Sequence, residues 1–168
     1  MNKVFDQLTS IVGVKNILTE KKELIKYNKD WRGFYNNKSL CVLFPINTQI
    51  LKEIVIFCFE NNLKIVPQGG NTSLTGASVP TYQNQEIIIN FSKMNKILEI
   101  DKNNLTILVE AGLILDNLKE YLNREGLYFP INVSSSGSCM IGGNIATNAG
   151  GINALKYGTM KDNVIGIE

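Results

Sequence analysis

The sequence predicts an α/β (α+β) fold in which small mixed sheets are flanked by helices. Three observations lead there. Residues 40–66 run strand, helix, strand; an isoleucine-rich strand and a hairpin follow over 86–109; and two stretches, 65–85 and 126–155, carry no charged side chain and are each built around a glycine cluster. At 168 residues, 44% hydrophobic and 19% charged, the chain has the composition of a soluble globular protein able to bury one core or two small lobes.

Taken in order, Val4, Phe5, Leu8, Ile11 and Val12 repeat at helical spacing, and Gly13 is placed to end that helix in a left-handed turn. Thr19 precedes Glu20-Lys21-Lys22-Glu23-Leu24-Ile25, which reads as a capped, mostly solvated turn of helix, and Trp31 reads as a packing anchor. Leu40-Cys41-Val42-Leu43-Phe44 is a buried strand stopped by Pro45. Asn47 or Thr48 then caps a helix carrying Ile50, Leu51, Ile54, Val55 and Cys58 on one side. Leu63 to Val66 is the next strand, so the order fits a βαβ unit, whose ligand crevice lies beyond the carboxyl ends of its strands. The first glycine cluster falls there. Glu86 to Phe91 is a strand, and Ile97 to Asp101 pairs with Leu105 to Val109 as a hairpin across Lys102-Asn103-Asn104. Leu115, Leu118 and Leu122 mark a helix bounded by Gly112 and Gly126. Val164-Ile165-Gly166-Ile167 reads as a strand cut off from its partners, and the chain as the front part of something longer.

A formal net charge of +2 with scattered lysines gives no basic field for nucleic acid. No run is long and apolar enough to span a membrane, and residues 1–7 lack the apolar core of a signal peptide, so the expected location is the cytoplasm. Cys41, Cys58 and Cys139 are odd in number and without C-x-x-C spacing, which argues against a disulfide framework and a zinc site; they read as buried thiols. Histidine is absent. That removes the commonest general base and metal ligand, so no catalytic residue and no metal site is assigned within these residues.

The two clusters read Gln68-Gly69-Gly70-Asn71-Thr72-Ser73-Leu74-Thr75-Gly76 and Ile141-Gly142-Gly143-Asn144-Ile145-Ala146-Thr147-Asn148-Ala149-Gly150-Gly151. Glycine lets successive backbone N–H groups turn together toward an anion, so such loops hold phosphate by peptide dipoles without lysine or arginine. Neither is a Walker A loop and neither fits G-x-G-x-x-G, which disfavours a nucleoside triphosphatase and a Rossmann dinucleotide site. Hydroxyl and amide side chains flank them (Asn71, Thr72, Ser73, Ser78; Ser138, Asn144, Thr147, Asn148) as further donors to phosphate oxygens. A helix opening near Gly143-Asn144 would add its N-terminal dipole. Both clusters are read as parts of one pyrophosphate-bearing cofactor site.

Pro67-Gln68-Gly69-Gly70-Asn71-Thr72 with Gly76-Ala77-Ser78-Val79-Pro80, then residues 137–151 beginning Gly137-Ser138-Cys139-Met140, then Lys156-Tyr157-Gly158, resemble the flavin-binding domain of the FAD-linked oxidases related to vanillyl-alcohol oxidase and p-cresol methylhydroxylase (PCMH). Within that superfamily the wording is similar to the D-2-hydroxyglutarate dehydrogenase branch, beside D-lactate dehydrogenases and the glycolate oxidase flavin subunit. The resemblance runs from about Tyr27 to the last residue. It implies a PCMH-type FAD-binding domain, truncated: an N-terminal helical segment over 1–36 and an FAD-binding domain over 37–168, incomplete at its C-terminus.

By that resemblance Gln68, Gly69, Gly70, Asn71, Thr72 and Ser73 wrap the FAD pyrophosphate through backbone amides, helped by Gly76 and Ser78. Gly137, Ser138, Gly142, Asn144, Asn148, Gly151 and Tyr157 line the opposite wall along the pyrophosphate, ribityl chain and flavin edge. Where histidine-linked members bond the flavin covalently, this chain reads Gln-Gly-Gly-Asn, so FAD is expected to be non-covalent; a cysteinyl link through Cys139 is the minor alternative. The implied activity is oxidation of a D-2-hydroxyacid (D-2-hydroxyglutarate or D-lactate) to a 2-oxo acid by hydride transfer to flavin. Electrons pass on to an external acceptor, and the substrate-binding groups lie in a missing C-terminal domain. Two competing readings are a non-catalytic truncated remnant and a shared-fold relative in cell-wall precursor reduction, the latter disfavoured by the Asn-Ala-Gly-Gly and Lys-Tyr-Gly wording.

Overall fold

Residues 2–81 and 86–168 are described in the computed structural model, so the end of the first uncharged stretch, 82–85, lies outside the described residues. The chain forms two units, Met1–Met94 and Asn95–Glu168.

The first unit is organised by one strand. β4 (Glu86–Asn90) is buried along its whole length, as a central parallel strand with three consecutive isoleucines must be. β2 (Cys41–Leu43) and β3 (Lys64–Gln68) flank it in parallel, with Val42 opposite Ile88 and Val66 opposite Ile88. β1 (Ile17–Leu18) adds antiparallel to β2, giving the order β1-β2-β4-β3 and a mixed sheet. The βαβ order holds, but β4 inserts between β2 and β3. Side-chain alternation then divides the core into two faces. Cys41, Leu43, Ile87 and Ile89 point to one, where Leu8 and Val12 of α1 (Asn2–Val12) and Ile54, Phe57 and Cys58 of α3 (Thr48–Glu60) cover them. Val42, Phe44, Val66 and Ile88 point to the other, covered by Leu24 and Tyr27 of α2 (Lys21–Asn28).

The local signals mostly act as expected. Gly13 follows α1 with φ +83, and the Asn47 side chain accepts a hydrogen bond from the Ile50 N–H at 2.9 Å to cap α3. Three expectations are corrected. The residue capping α2 is Glu20, without a side-chain cap bond, rather than Thr19. On α3 the inward residue is Phe57 and Val55 is exposed, because positions 50, 54, 57 and 58 share a helical face and 55 does not. Trp31 is 73% exposed, carried outward by the turn that follows Asp30, and so anchors no core.

In the second unit, β5 (Ile97–Asp101) and β6 (Thr106–Val109) pair antiparallel as their own two-stranded sheet. The Asp101 carboxylate accepts from the N–H groups of Asn103 and Asn104 and from the Asn104 side chain, fixing the turn. α4 (Leu115–Arg124) buries Leu115, Leu118 and Leu122 against Leu113, Ile131, Cys139, Ile141 and Met160. It ends as the sequence suggests: Gly126 has φ +74 and the Leu127 N–H reaches back to the Leu122 carbonyl at 2.8 Å. The expected terminal strand does not form; residues 164–168 take no regular structure, and Ile165 and Ile167 are exposed, without the burial that would hold a strand.

All three cysteines are free and buried. Burial, with Cys58 beside it as the lesser cause, pushes the Cys41 thiol up to about 12, and burial pushes Cys58 up to about 11. Both folded values exceed the ordinary 9.0, so the folded chain keeps protons that the unfolded chain releases. The resulting stabilisation is full below pH 9.0 and is lost as pH rises toward the folded values. At neutral to mildly alkaline pH a thiol reagent should leave Cys41 and Cys58 untouched until denaturant is added, as mass-resolved labelling would record; modification of either in the folded protein would contradict this packing.

Candidate functional site

Two buried strands stop side by side, β3 at Gln68 and β4 at Asn90, and each ends on an amide side chain facing the other. The Gln68 side chain is 1% exposed. Its Nε2 donates to the carbonyls of Tyr27 at 2.9 Å and Ser78 at 2.7 Å, and its Oε1 accepts from Asn90 Nδ2 at 3.3 Å. Asn90 Nδ2 also reaches the Gly69 carbonyl at 3.3 Å, and its Oδ1 accepts from the Ser92 N–H. A buried amide left unpaired would cost several kcal/mol, about 2 or more. Here the pairing ties both strand ends to both ends of the glycine loop.

Within the loop, Asn71 adopts φ +53, the left-handed conformation that asparagine tolerates better than most residues. Its Nδ2 donates to the Lys29 carbonyl at 2.8 Å and its Oδ1 accepts from Ser78 Oγ at 2.7 Å. Ser73 Oγ lies 3.0 Å from Thr75 Oγ1 and accepts from the Thr75 N–H. Gly76 is buried with φ +72, and a Cβ there would stand 2.5 Å from the Tyr35 ring.

These contacts leave the main chain, rather than the flanking side chains, as the available donor set. The side chains of Gln68, Asn71, Ser73 and Ser78 are engaged inside the unit, whereas the main-chain N–H groups of Gly69, Gly70, Asn71, Thr72, Ser73 and Leu74 meet no acceptor among the described residues. Six successive uncommitted donors around a left-handed residue are the kind of main-chain donor set that an anion takes. Residues 65–81, all uncharged, supply no competing carboxylate. A diphosphate fits this donor set.

The second cluster, described within its own unit, is built differently. Its N–H groups are largely spent: Ile141 on Leu113, Gly142 on Ala111, Ser138 and Cys139 on Ser135, Asn144 on Met140, and Asn148 on Ile145. The side chains of Asn144, Thr147 and Asn148 are also engaged, with Cys139 Sγ, the Gly143 carbonyl and the Lys161 N–H respectively. The helix begins at Ile141, two residues ahead of Gly143, and α5 (Ile141–Ala146) is only six residues long. Gly142 and Gly151 are required by the fold itself. A Cβ at Gly142 would come within 2.8 Å of Ala111 Cβ, and one at Gly151, where φ is +100, within 2.0 Å of the Asn132 carbonyl oxygen. A Cβ at Gly143 would meet nothing within 4 Å outside its own helix among the described residues, so packing there gives no reason for its missing side chain. Cys139 is 3% exposed in the core. Tyr157, at the end of α6 (Ala154–Tyr157), is 42% exposed with its ring 5.9 Å from that of Tyr128.

Sequence reasoning missed the supports of the first loop: the carbonyls of Tyr27 and Lys29, the Tyr35 ring and Asn90. An amide closing an otherwise apolar strand, as in Glu86-Ile87-Ile88-Ile89-Asn90, was the available signal.

A family described as FAD binding domain matches residues 39–168. Among curated relatives, the chain is 42% identical over 158 residues to the mitochondrial D-2-hydroxyglutarate dehydrogenase of Arabidopsis thaliana, covering 94% of this chain and 28% of that protein. It is 33% identical over 165 residues to the D-2-hydroxyglutarate dehydrogenase of Stutzerimonas stutzeri, covering 98% and 35%. The chain thus spans about three tenths of the length of the curated relatives it matches. Among solved structures, alkyldihydroxyacetonephosphate synthase superposes with a TM-score of 0.89 at 21% identity over 98% of this chain and 32% of its own. p-Cresol methylhydroxylase superposes with 0.75 at 23% identity over 88% and 29%. At these identities the superpositions establish the fold, which is that of the PCMH-type flavoproteins. Motif, fold and family match agree, and the chain belongs to the FAD binding domain family.

Proposed function

We propose that this chain is the FAD-binding portion of a flavin-dependent D-2-hydroxyacid dehydrogenase of the D-2-hydroxyglutarate or D-lactate type. The observation that carries the reading is the run of uncommitted main-chain N–H groups over residues 69–74, a neutral cradle for the cofactor's pyrophosphate. Hydrogen bonds to a charged acceptor contribute about 1.5–3 kcal/mol each, so even three, reduced by desolvation, account for tight retention without a basic side chain. The names of the relatives support the substrate class.

When bound, FAD supplies the two-electron acceptor for a hydride leaving a substrate carbon. This chain's own residues bind and orient. Gln68 and Asn90 fix where the loop departs, Asn71 sets its curvature, and Gly69 to Leu74 present the donors. In the second unit, Gly143 is the proposed point of close approach, because its open flank is unexplained by packing. Gly137, Ser138, Asn144, Asn148 and Tyr157 remain proposed contacts on the strength of the family resemblance. Non-covalent attachment follows from Gln68-Gly69-Gly70-Asn71, which offers no histidine. The domain boundary is proposed between residues 36 and 37, supported by a family match that begins at 39. Groups that bind the substrate carboxylate and accept its hydroxyl proton are proposed to lie outside these 168 residues, which contain no histidine. Among the described residues no helix is long and apolar enough to cross a membrane. A cytoplasmic site stays part of the proposal, although the Arabidopsis relative is described as mitochondrial, and cell fractionation decides it.

The purified full-length protein, reconstituted with FAD, should retain a flavin spectrum through gel filtration and release all of its flavin on acid precipitation. With an artificial acceptor it should oxidise D-2-hydroxyglutarate or D-lactate. A colourless product sinks the assignment; flavin without turnover of either acid favours the non-catalytic reading. A glycine pair tests the second cluster. Gly143→Ala should leave the melting temperature unchanged or slightly raised, since alanine is favoured in a helix by about 0.5–1 kcal/mol, yet weaken FAD about tenfold. Gly151→Ala should prevent stable folding. Equal FAD affinity in Gly143→Ala and wild type would remove Gly143 from the site.

A further inference from the structure

The donors of residues 69–74 have no acceptor among the described residues, so ties other than their own must keep the loop in shape. We propose that the turn formed by residues 29–35, which lies ahead of the family match, is the positioning element of the cofactor loop, acting through the Tyr35 ring on Gly76 and the Lys29 carbonyl on Asn71. The inference rests on the reading that this loop holds FAD.

The turn is built to be rigid. Asp30 is 2% exposed, and its carboxylate accepts from the N–H groups of Tyr35 at 2.8 Å and Arg32 at 3.3 Å. The Asp30 N–H donates to the Tyr35 carbonyl, and the Gly33 N–H to the Asp30 carbonyl, with Gly33 at φ +76. Lys29 and Asn36 bridge antiparallel to close the base. A buried carboxylate filled by backbone donors leaves this segment little freedom.

From it and from the residues flanking it, ties run to the cofactor loop and its return at spaced points. The Tyr27 carbonyl takes Gln68 at the loop's start, the Lys29 carbonyl takes Asn71 at its left-handed residue, the Tyr35 ring packs on Gly76 at its return, and Asn37 Nδ2 donates to the Pro80 carbonyl at 2.8 Å. Fixing one residue's backbone costs about 1–2 kcal/mol, so a six-residue loop ordered only on cofactor binding would lose much of its binding energy. The turn supplies that order beforehand. Trp31, on the same turn, is exposed and takes part in none of these ties.

The test uses the full-length protein and two readouts. FAD titration by flavin fluorescence should show Kd raised about tenfold in Tyr35→Ala, restored in Tyr35→Phe because the contact is made by ring carbons, and unchanged in Trp31→Ala. Independently of FAD, the ¹⁵N order parameters of residues 69–74 in apoprotein should stand near the rigid value of about 0.85 in wild type and Tyr35→Phe, and fall toward about 0.6 in Tyr35→Ala. A generally structural role would instead lower apoprotein melting while leaving the loop's order parameters like those of other loops. Unchanged order parameters in Tyr35→Ala, or equal loss in the alanine and phenylalanine variants, overturn the inference. Wild-type protein that binds no FAD while showing the expected order parameters overturns the cofactor reading alone. Should Tyr35→Ala fail to fold, Tyr35→Val, which also takes the ring off Gly76, carries the same two measurements with an expected loss of about threefold, and no change there is equally fatal.

Discussion

A main-chain amide that is to hold an anion must bind nothing else and yet stay in place, and in the proposed site the buried Gln68 side chain reconciles the two demands. A loop whose N–H groups satisfy one another is ordered but closed to ligand; one with no bonds is open but mobile. Gln68 joins the carbonyls of Tyr27 and Ser78 and the amide of Asn90, so order is imposed by side chains while the main-chain donors of 69–74 stay unspent among the described residues. Asn71 repeats the principle at the loop's bend, with both ends of its amide engaged. Removing either residue would return the loop to the choice between closed and mobile.

The sheet exists to deliver those residues. Parallel strands β3 and β4 end in register at Gln68 and Asn90, so two amides emerge together at the carboxyl edge, where ligands of open α/β sheets gather. That register is held by Ile87, Ile88 and Ile89, buried on both faces; a slip of one residue would turn the amides away and bring apolar side chains to the loop. Core packing and site geometry are thus one constraint.

Local signals were legible in the sequence because they depend on neighbours a few residues away. The Asn47 cap, the Gly13 and Gly126 stops, the hairpin at Asp101 and the isoleucine strand all appear where spacing placed them. The two glycine clusters were legible as special backbone, and their family wording as an FAD-binding domain. What depended on distant pairing was not. The insertion of β4 between β2 and β3 requires knowing which strand meets which, and the roles of Tyr35 and Lys29 require a loop some forty residues away. The prior commitments of some side chains around the glycines were hidden for a related reason. Composition reveals that Asn71, Ser78 and Asn144 have donors to offer but not that the fold already uses them.

Glycine identity in the two clusters therefore has two separate physical meanings. Gly76, Gly142 and Gly151 are small because Tyr35, Ala111 and the Asn132 carbonyl occupy the space a Cβ would need, and Gly76 and Gly151 add a positive φ. Their absence of a side chain serves the fold. Gly143 has neither reason. A helical position that forgoes alanine gives up about 0.5–1 kcal/mol, and a fold gains nothing from that loss unless the vacated volume is wanted by something else. On the proposed reading, FAD is the occupant that makes such a concession intelligible. The same reasoning separates the first cluster from the second: one offers donors that the fold leaves unused, the other offers room that the fold leaves unfilled.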